Sequence, residues 1–194
     1  TKGISCFVVP KYLVNEDGSL GERNDMRCVS LEHKLGIHAS PTAVLSFGDE
    51  GGATGYLLGP ENGGMRVMFV MMNNARFGVG MEGVSIAERA YQHALAYAKD
   101  RVQGRVVGGG QGATIVDHPD VRRMLMTMKA LTEASRALAY YTASQNDLAS
   151  HHEDEVAREA ANDRLALLTP LVKAWSTDIG CEVASLGVQI HGGM

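Results

Sequence analysis

Two arginines, Arg76 and Arg101, fall on a long stretch otherwise rich in alanine, glycine and valine, so each must project a charge from an apolar surface. Asn73 precedes Arg76 by three positions, and Gln111 follows Arg101 across a glycine-rich run. A guanidinium fork donates two parallel hydrogen bonds, and with a side-chain amide beside it forms a clamp for phosphate or pyrophosphate. The plainer alternative is a pair of solvated arginines. Near the other end, Gln189-Ile190-His191-Gly192-Gly193 sets a third amide just before two glycines. Glycine there lets the backbone approach a ligand closely, or simply caps a helix.

Other patterns carry less. Gly108 to Ala113 formally reads G-x-G-x-x-A, but a dinucleotide fingerprint needs a strand feeding the glycine turn. Here a long helical pattern precedes it, with only Val106 and Val107 between. The run His151 to Glu155 contains metal-competent side chains, yet it reads as a solvated connection between helices. His33 and His38 stand among turn residues with no carboxylate or cysteine arranged beside them. Met65, Met68, Met71 and Met72 could line a flexible apolar pocket, with core packing as the default.

The elements that must position these residues fall into two textures. Over residues 1–60, short β-rich runs (Ile4 to Val9, Arg27 to Leu31, Thr42 to Phe47, Tyr56 to Leu58) are separated by turn residues, which suits antiparallel hairpins. From about residue 61 the chain turns to Ala, Leu, Met, Glu and Arg at helical spacing. A first helix is expected from Gly64 to Arg101, more than about 50 Å at 1.5 Å per residue. It carries Gly78, Gly80 and Gly83, whose helix-weakening cost close backbone approach would offset. A second is expected after Asp117 as N-cap, with Pro119 in its first turn, ending near Asn146. A third is expected from Val156 to about Val188, kinked at Pro170. The expected fold is therefore mainly α with a small β part: antiparallel strands followed by a long-helix antiparallel bundle that a fourth helix would close.

The totals exclude several classes. The chain has 194 residues, a formal charge of −4 and no basic stripe, which argues against nucleic acid as a partner. Three scattered cysteines form neither a disulfide framework nor a zinc motif and fit a reducing, cytoplasmic setting. No run is long and apolar enough for a membrane span. Thr1 is no initiator and the chain stops at Met194, so it reads as part of a longer protein.

Taken together, the pieces resemble the acyl-CoA dehydrogenase family, collinearly over essentially the whole chain. Lys2 to Lys11 looks like a strand of the family's β-domain, Lys34 to Thr42 like its KxGxxxSxT loop, and Leu57-Leu58-Gly59 with Gly63-Gly64 like the crossing into the helical domain. The helix ending in Tyr97-Ala98-Lys99-Asp100-Arg101 resembles the one that stops at the family's R-x-x-F-G motif. This chain departs from that motif, because Arg101-Val102-Gln103-Gly104 lacks the aromatic residue and brings the glycine one place early.

The resemblance implies residues 1–60 as the end of a middle β-domain and 61–194 as a truncated C-terminal helical bundle. It implies FAD as cofactor, contacted by Arg101, by Gln111 seven residues after Gly104, and by Gln189, Gly192 and Gly193 of a neighbouring subunit's Q-I-x-G-G segment. Asn73 and Arg76 match positions near the acyl-CoA thioester arm, where the family commonly has Asp and Arg. The implied reaction removes the α-proton of an acyl-CoA to a glutamate while the β-hydrogen leaves as hydride to flavin, giving a trans-2-enoyl-CoA. In most members that base lies in a Tyr-Glu-Gly-Thr segment, which residues 1–194 do not contain. Where relatives place it on the first helix, this chain has Ala75, so no catalytic base is assigned and the fragment alone is expected to be inactive. Electron-transfer flavoprotein is the implied electron acceptor and a homo-oligomer, dimer or tetramer, the implied assembly. The texture also resembles bacterial members acting on short or sulfur-containing acyl groups, including methylthiopropanoyl-CoA. An acyl-CoA oxidase, or a non-catalytic flavoprotein or assembly module of the same fold, is the alternative.

Overall fold

The computed structural model describes residues 2–193 except 107 and 109–111. It divides into two compact units, Thr1–Met71 and Met72–Met194, and each is described by itself.

In the first unit the strands pair as three antiparallel ribbons. β1 (Cys6–Val8) pairs with β6 (Tyr56–Leu58), β2 (Tyr12–Val14) with β3 (Leu20–Arg23), and β4 (Met26–Leu31) with β5 (Ala43–Phe47). The expected runs therefore all hold strands, and β2 and β3 add two strands not expected, on either side of a turn at Asn15, Asp17 and Gly18 that the turn residues do signal. Its turn is closed locally: the Ser19 N–H and hydroxyl both donate to Asp17 Oδ1, at 2.9 and 2.6 Å. Around Asn24 the ribbons are joined by polar bonds. The Asn24 amide donates to the carbonyls of Pro10 and Thr54 at 2.9 and 2.8 Å, and its Oδ1 accepts from Thr54 N–H at 2.9 Å. Most large apolar side chains of this unit, Phe7, Leu20 and Leu57 among them, remain exposed.

Three helices follow. α1 (Gly64–Asp100) meets no proline along its 37 residues. α2 (Pro119–His151) starts with proline, whose missing N–H costs nothing at a helix start. Its N-cap is His118, correcting the expectation of Asp117. Asp117 instead closes a 3-10 turn (Ile115–Asp117), accepting from the Thr114 hydroxyl at 3.3 Å. α2 also runs past Asn146 to His151, so the polar connection shrinks to residues 152–154. Asp154 caps α3 (Glu155–His191) by accepting from Val156 N–H at 3.1 Å, which draws the His151–Glu155 run into helix ends and capping. α3 continues unbroken through Pro170.

Contacts fix the directions within the second unit. Gly80 lies against Val172, Gly83 against Ser176 and Ala90 against Gly187, so α1 and α3 run parallel. Glu88 meets Arg136, and with Ala98 near Leu125 this makes α2 antiparallel to both. A Cβ on Gly83 would collide with the Ser176 carbonyl and stand 2.9 Å from Thr177 N. Close approach therefore explains Gly80 and Gly83, whereas Gly78 faces open space. The core between the helices holds Ala87, Ala94 and Ala98 of α1, Met128 of α2 and Val183 of α3. Buried hydroxyls of Thr132, Thr142 and Thr169 donate to the carbonyl one turn back. Among the described residues no helix is long and apolar enough to cross a membrane.

Candidate functional site

With α1 and α3 parallel and α2 opposed, the end of α1, the start of α2 and the end of α3 lie at one end of the bundle. Tyr97 and His191 join there, their rings stacked with centroids 4.5 Å apart. Beneath them Ala98, Ile115, Leu125 and Ile190 belong to one apolar cluster. Arg101 and the segment from Gln189 to Gly193, 88 positions apart at their nearest, are thus carried by helix ends packed on each other.

Arg101 is the first residue past α1. Its N–H donates to the Tyr97 carbonyl and its own carbonyl accepts from Ile115 N–H, both at 2.8 Å, while the residue as a whole is exposed. Backbone bonds therefore hold its base while the charge faces water. Gln111 lies outside the described residues. On α3, Gly192 adopts φ 91 and Gly193 φ 87. Gly192 N–H donates to Gln189 O and Gly193 N–H to Val188 O, the double bond of a Schellman cap. Those amides are spent on the helix end, so the capping alternative holds for them. What the two glycines leave a ligand is open space over their α-carbons, with Gln189 exposed beside them. Between α1 and α3 a hollow of about 470 Å³ opens next to this end, lined by Ala90, His93, Gly187 and His191 among others. His191 is oriented by its Nδ1–H donating to Gly187 O at 2.7 Å.

An exposed guanidinium and an exposed amide are donors of the kind a phosphate oxygen accepts from, and the open glycine turn adds space beside them rather than donors. Asn73 and Arg76 lie elsewhere. Arg76 is half-buried and Asn73 exposed on α1, 25 residues before Arg101 and about 37 Å away along the helix axis. The two groups of residues are therefore not brought together. The glycine run of residues 108–113 follows helix α1 in the sequence, and among the described residues no parallel strand precedes it; Val102 makes an isolated antiparallel bridge with Thr114.

Sequence reasoning missed an ion pair between α1 and α2. Arg136 donates to Glu88 Oε2 at 2.5 Å and Gln92 donates to Glu88 Oε1 at 2.6 Å. These two hydrogen bonds, Gln92 first and then Arg136, hold the Glu88 carboxyl below the ordinary glutamate value. The Glu88 carboxylate in turn raises the Arg136 guanidinium. The Glu88–Gln92 spacing was readable as a helix pair, but the partner 48 positions on was not. The Tyr97–His191 stack and the contact of His118 with Gln103 were missed for the same reason.

A bundle of three long helices preceded by antiparallel strand pairs defines a fold class, and comparison of sequences identifies it. Residues 62–194 match the model of the acyl-CoA dehydrogenase C-terminal domain. The chain belongs to the acyl-CoA dehydrogenase family. It is 57% identical over its full length to a protein of Ruegeria pomeroyi named 3-methylmercaptopropionyl-CoA dehydrogenase, covering 32% of that protein. It is 42% identical, again over its full length, to a butyryl-CoA dehydrogenase of Syntrophomonas wolfei, covering 33% of it. Butyryl-CoA dehydrogenase from Megasphaera elsdenii has a similar structure, with a TM-score of 0.69 at 26% identity over 87% of this chain and 39% of that one. The chain spans about a third of the length of the curated relatives it matches.

Proposed function

We propose that the intact protein is a flavin-dependent acyl-CoA dehydrogenase that converts an acyl-CoA to its trans-2-enoyl-CoA, with residues 1–60 ending its β-domain and 61–194 forming much of its C-terminal bundle. The observation that carries the reading is family membership joined to the grouping of Arg101 with Gln189, Gly192 and Gly193 at one end of the bundle. FAD supplies the hydride acceptor. Arg101 holds a phosphate oxygen through its fork, Gln189 donates its amide, and Gly192 and Gly193 let the nucleotide lie close. Gln111 keeps the role that the resemblance gives it. Arg76 and Asn73, remote from that end, orient the thioester arm of the substrate. In the family that the chain resembles, the Gln189 to Gly193 segment meets the FAD of a neighbouring subunit, and the distance between Arg76 and the Arg101 end supports that reading and with it a homo-oligomer. Electron-transfer flavoprotein is the electron acceptor that the family resemblance implies, and three free cysteines suit a cytoplasmic setting.

For the substrate, 57% identity to a named 3-methylmercaptopropionyl-CoA dehydrogenase favours a short, sulfur-containing acyl group over a long one. Anaerobic addition of 3-methylthiopropanoyl-CoA to the intact, flavin-loaded protein is expected to bleach the oxidised flavin absorbance, and butyryl-CoA to do so less efficiently. Absence of bleaching with both would overturn the assignment. Turnover matched mole for mole by oxygen uptake would make the protein an oxidase instead. The isolated 194-residue chain is expected to bind FAD weakly and to turn over no acyl-CoA.

A further inference from the structure

We propose that His118 is a positioning residue for the Arg101 grip, latching the turn just past Arg101 onto the start of α2. The proposal rests on the reading of Arg101 as a nucleotide contact.

Among the described residues, three contacts close the excursion between α1 and α2 at its root. Ile115 N–H donates to Arg101 O at 2.8 Å, Val102 bridges Thr114, and His118 Nε2 lies 2.9 Å from Gln103 O. The first two are backbone contacts that form whatever the side chains are. The third is made by one imidazole. A carbonyl only accepts, so Nε2 must carry the proton and donate it. The same ring lies over Gly104, whose φ is +75; a Cβ there would stand 3.5 Å from His118 Cε1 and 3.6 Å from Nε2. His118 is itself anchored. Its N–H donates to Ile115 O at 3.1 Å, its carbonyl accepts from Arg122 N–H at 3.0 Å, and Pro119 restricts its backbone. A rigid helix start thus grips the turn at Gln103 and Gly104, two and three residues past Arg101. His118 is only half-buried and its bond to Gln103 lies at the exposed surface, so losing the bond frees the turn without opening the core. The cost falls on preorganisation of the guanidinium rather than on folding.

The test uses the intact protein and three variants: His118→Phe, which keeps a ring over Gly104 but loses the donor; His118→Gln, which restores an N–H; and Arg101→Ala. His118→Phe is expected to weaken FAD binding by about three- to tenfold, the worth of one exposed hydrogen bond. It should also speed deuterium uptake of the peptide spanning residues 101–105 while leaving the thermal midpoint unchanged. His118→Gln should recover part of both. Unchanged deuterium uptake in His118→Phe, or a His118→Gln variant no better than His118→Phe, overturns the latch. If Arg101→Ala leaves FAD affinity intact while His118→Phe still loosens the turn, the nucleotide reading has failed and the proposal falls with it; if Arg101→Ala weakens FAD but His118→Phe does not, only the proposal falls.

Discussion

The two units reach order by opposite means. In Met72–Met194 the interior is apolar and closely packed, with Ala87, Ala94, Met128 and Val183 at 0% exposure. In Thr1–Met71 no described large apolar side chain is buried to that degree, and the best-buried polar residue is Asn24, at 5% exposure. Two-stranded ribbons present too little surface to build a core, so their arrangement is specified by directed bonds: Asn24 to Pro10 and Thr54, and Asp25 Oδ2 accepting from Glu50 and Gly52 N–H. Helices of small residues can instead approach until backbones touch, and dispersion with apolar burial holds them. Shape specifies one unit and hydrogen-bond geometry the other.

That contrast can be broken by experiments on the intact protein. Met128→Ala leaves a cavity at a fully buried site and is expected to cost about 3 kcal/mol, read as a lower midpoint in denaturant unfolding of the helical signal. Gly83→Ala forces a methyl into the Ser176 backbone and should cost about 2 kcal/mol in the same measurement. Asn24→Ala removes both donors and the acceptor that satisfy Pro10 and Thr54, at roughly 2 kcal/mol. Its effect should be local, faster hydrogen exchange around residues 10–14 and 54–58 with the helical midpoint unmoved. A helical midpoint lowered as far by Asn24→Ala as by Met128→Ala would sink the division into two kinds of order.

How much of this was legible beforehand follows the same line. The helices were, because apolar residues recur at helical spacing and no proline interrupts residues 61–118. Strands β4 and β5 were visible in their β-branched runs, but β2 and β3 were not. Leu20–Arg23 reads LGER, without alternation, and only pairing with Tyr12–Val14 makes it a strand. Asp117 looked like the better cap by residue type; Thr114 engages its carboxylate and leaves His118 to precede the helix. At the site, Arg101 and Gln189 were legible as residue types suited to a phosphate. That Tyr97 and His191 bring their helix ends together was not, since a ring stack between positions 94 apart leaves no local pattern. The position of Gln111 was counted along a loop and lies outside the described residues.

The Glu88–Arg136 pair is a directed bond set into the packed unit, and it sharpens the comparison further. Both side chains are about one-third exposed, so solvent screening limits their net worth to about 1 kcal/mol. Because the folded protein holds Glu88 below the ordinary carboxylate value, the stabilisation is complete above about pH 4.3, the unfolded glutamate value, and is lost as pH falls through the lower folded value. Glu88→Gln should therefore unfold more easily than the unaltered protein at neutral pH, and the two should converge on acidification. A gap that persists undiminished at low pH would show that the residue acts through packing.

The smallest effect concerns the glycine that neither means of ordering explains. Gly80 and Gly83 each face a neighbouring backbone, but a Cβ on Gly78 would meet nothing within 4 Å. Alanine in an exposed helix interior is better than glycine by about 0.5–1 kcal/mol. Gly78→Ala should accordingly raise the thermal midpoint slightly, opposite in sign to Gly83→Ala five residues along the same helix. Two substitutions identical in chemistry then differ only in what lies opposite, which isolates backbone approach from helix propensity. If Gly78→Ala instead lowers the midpoint of the intact protein, something outside residues 1–194 meets that face of α1, and the glycine serves the assembled enzyme as Gly83 serves the bundle.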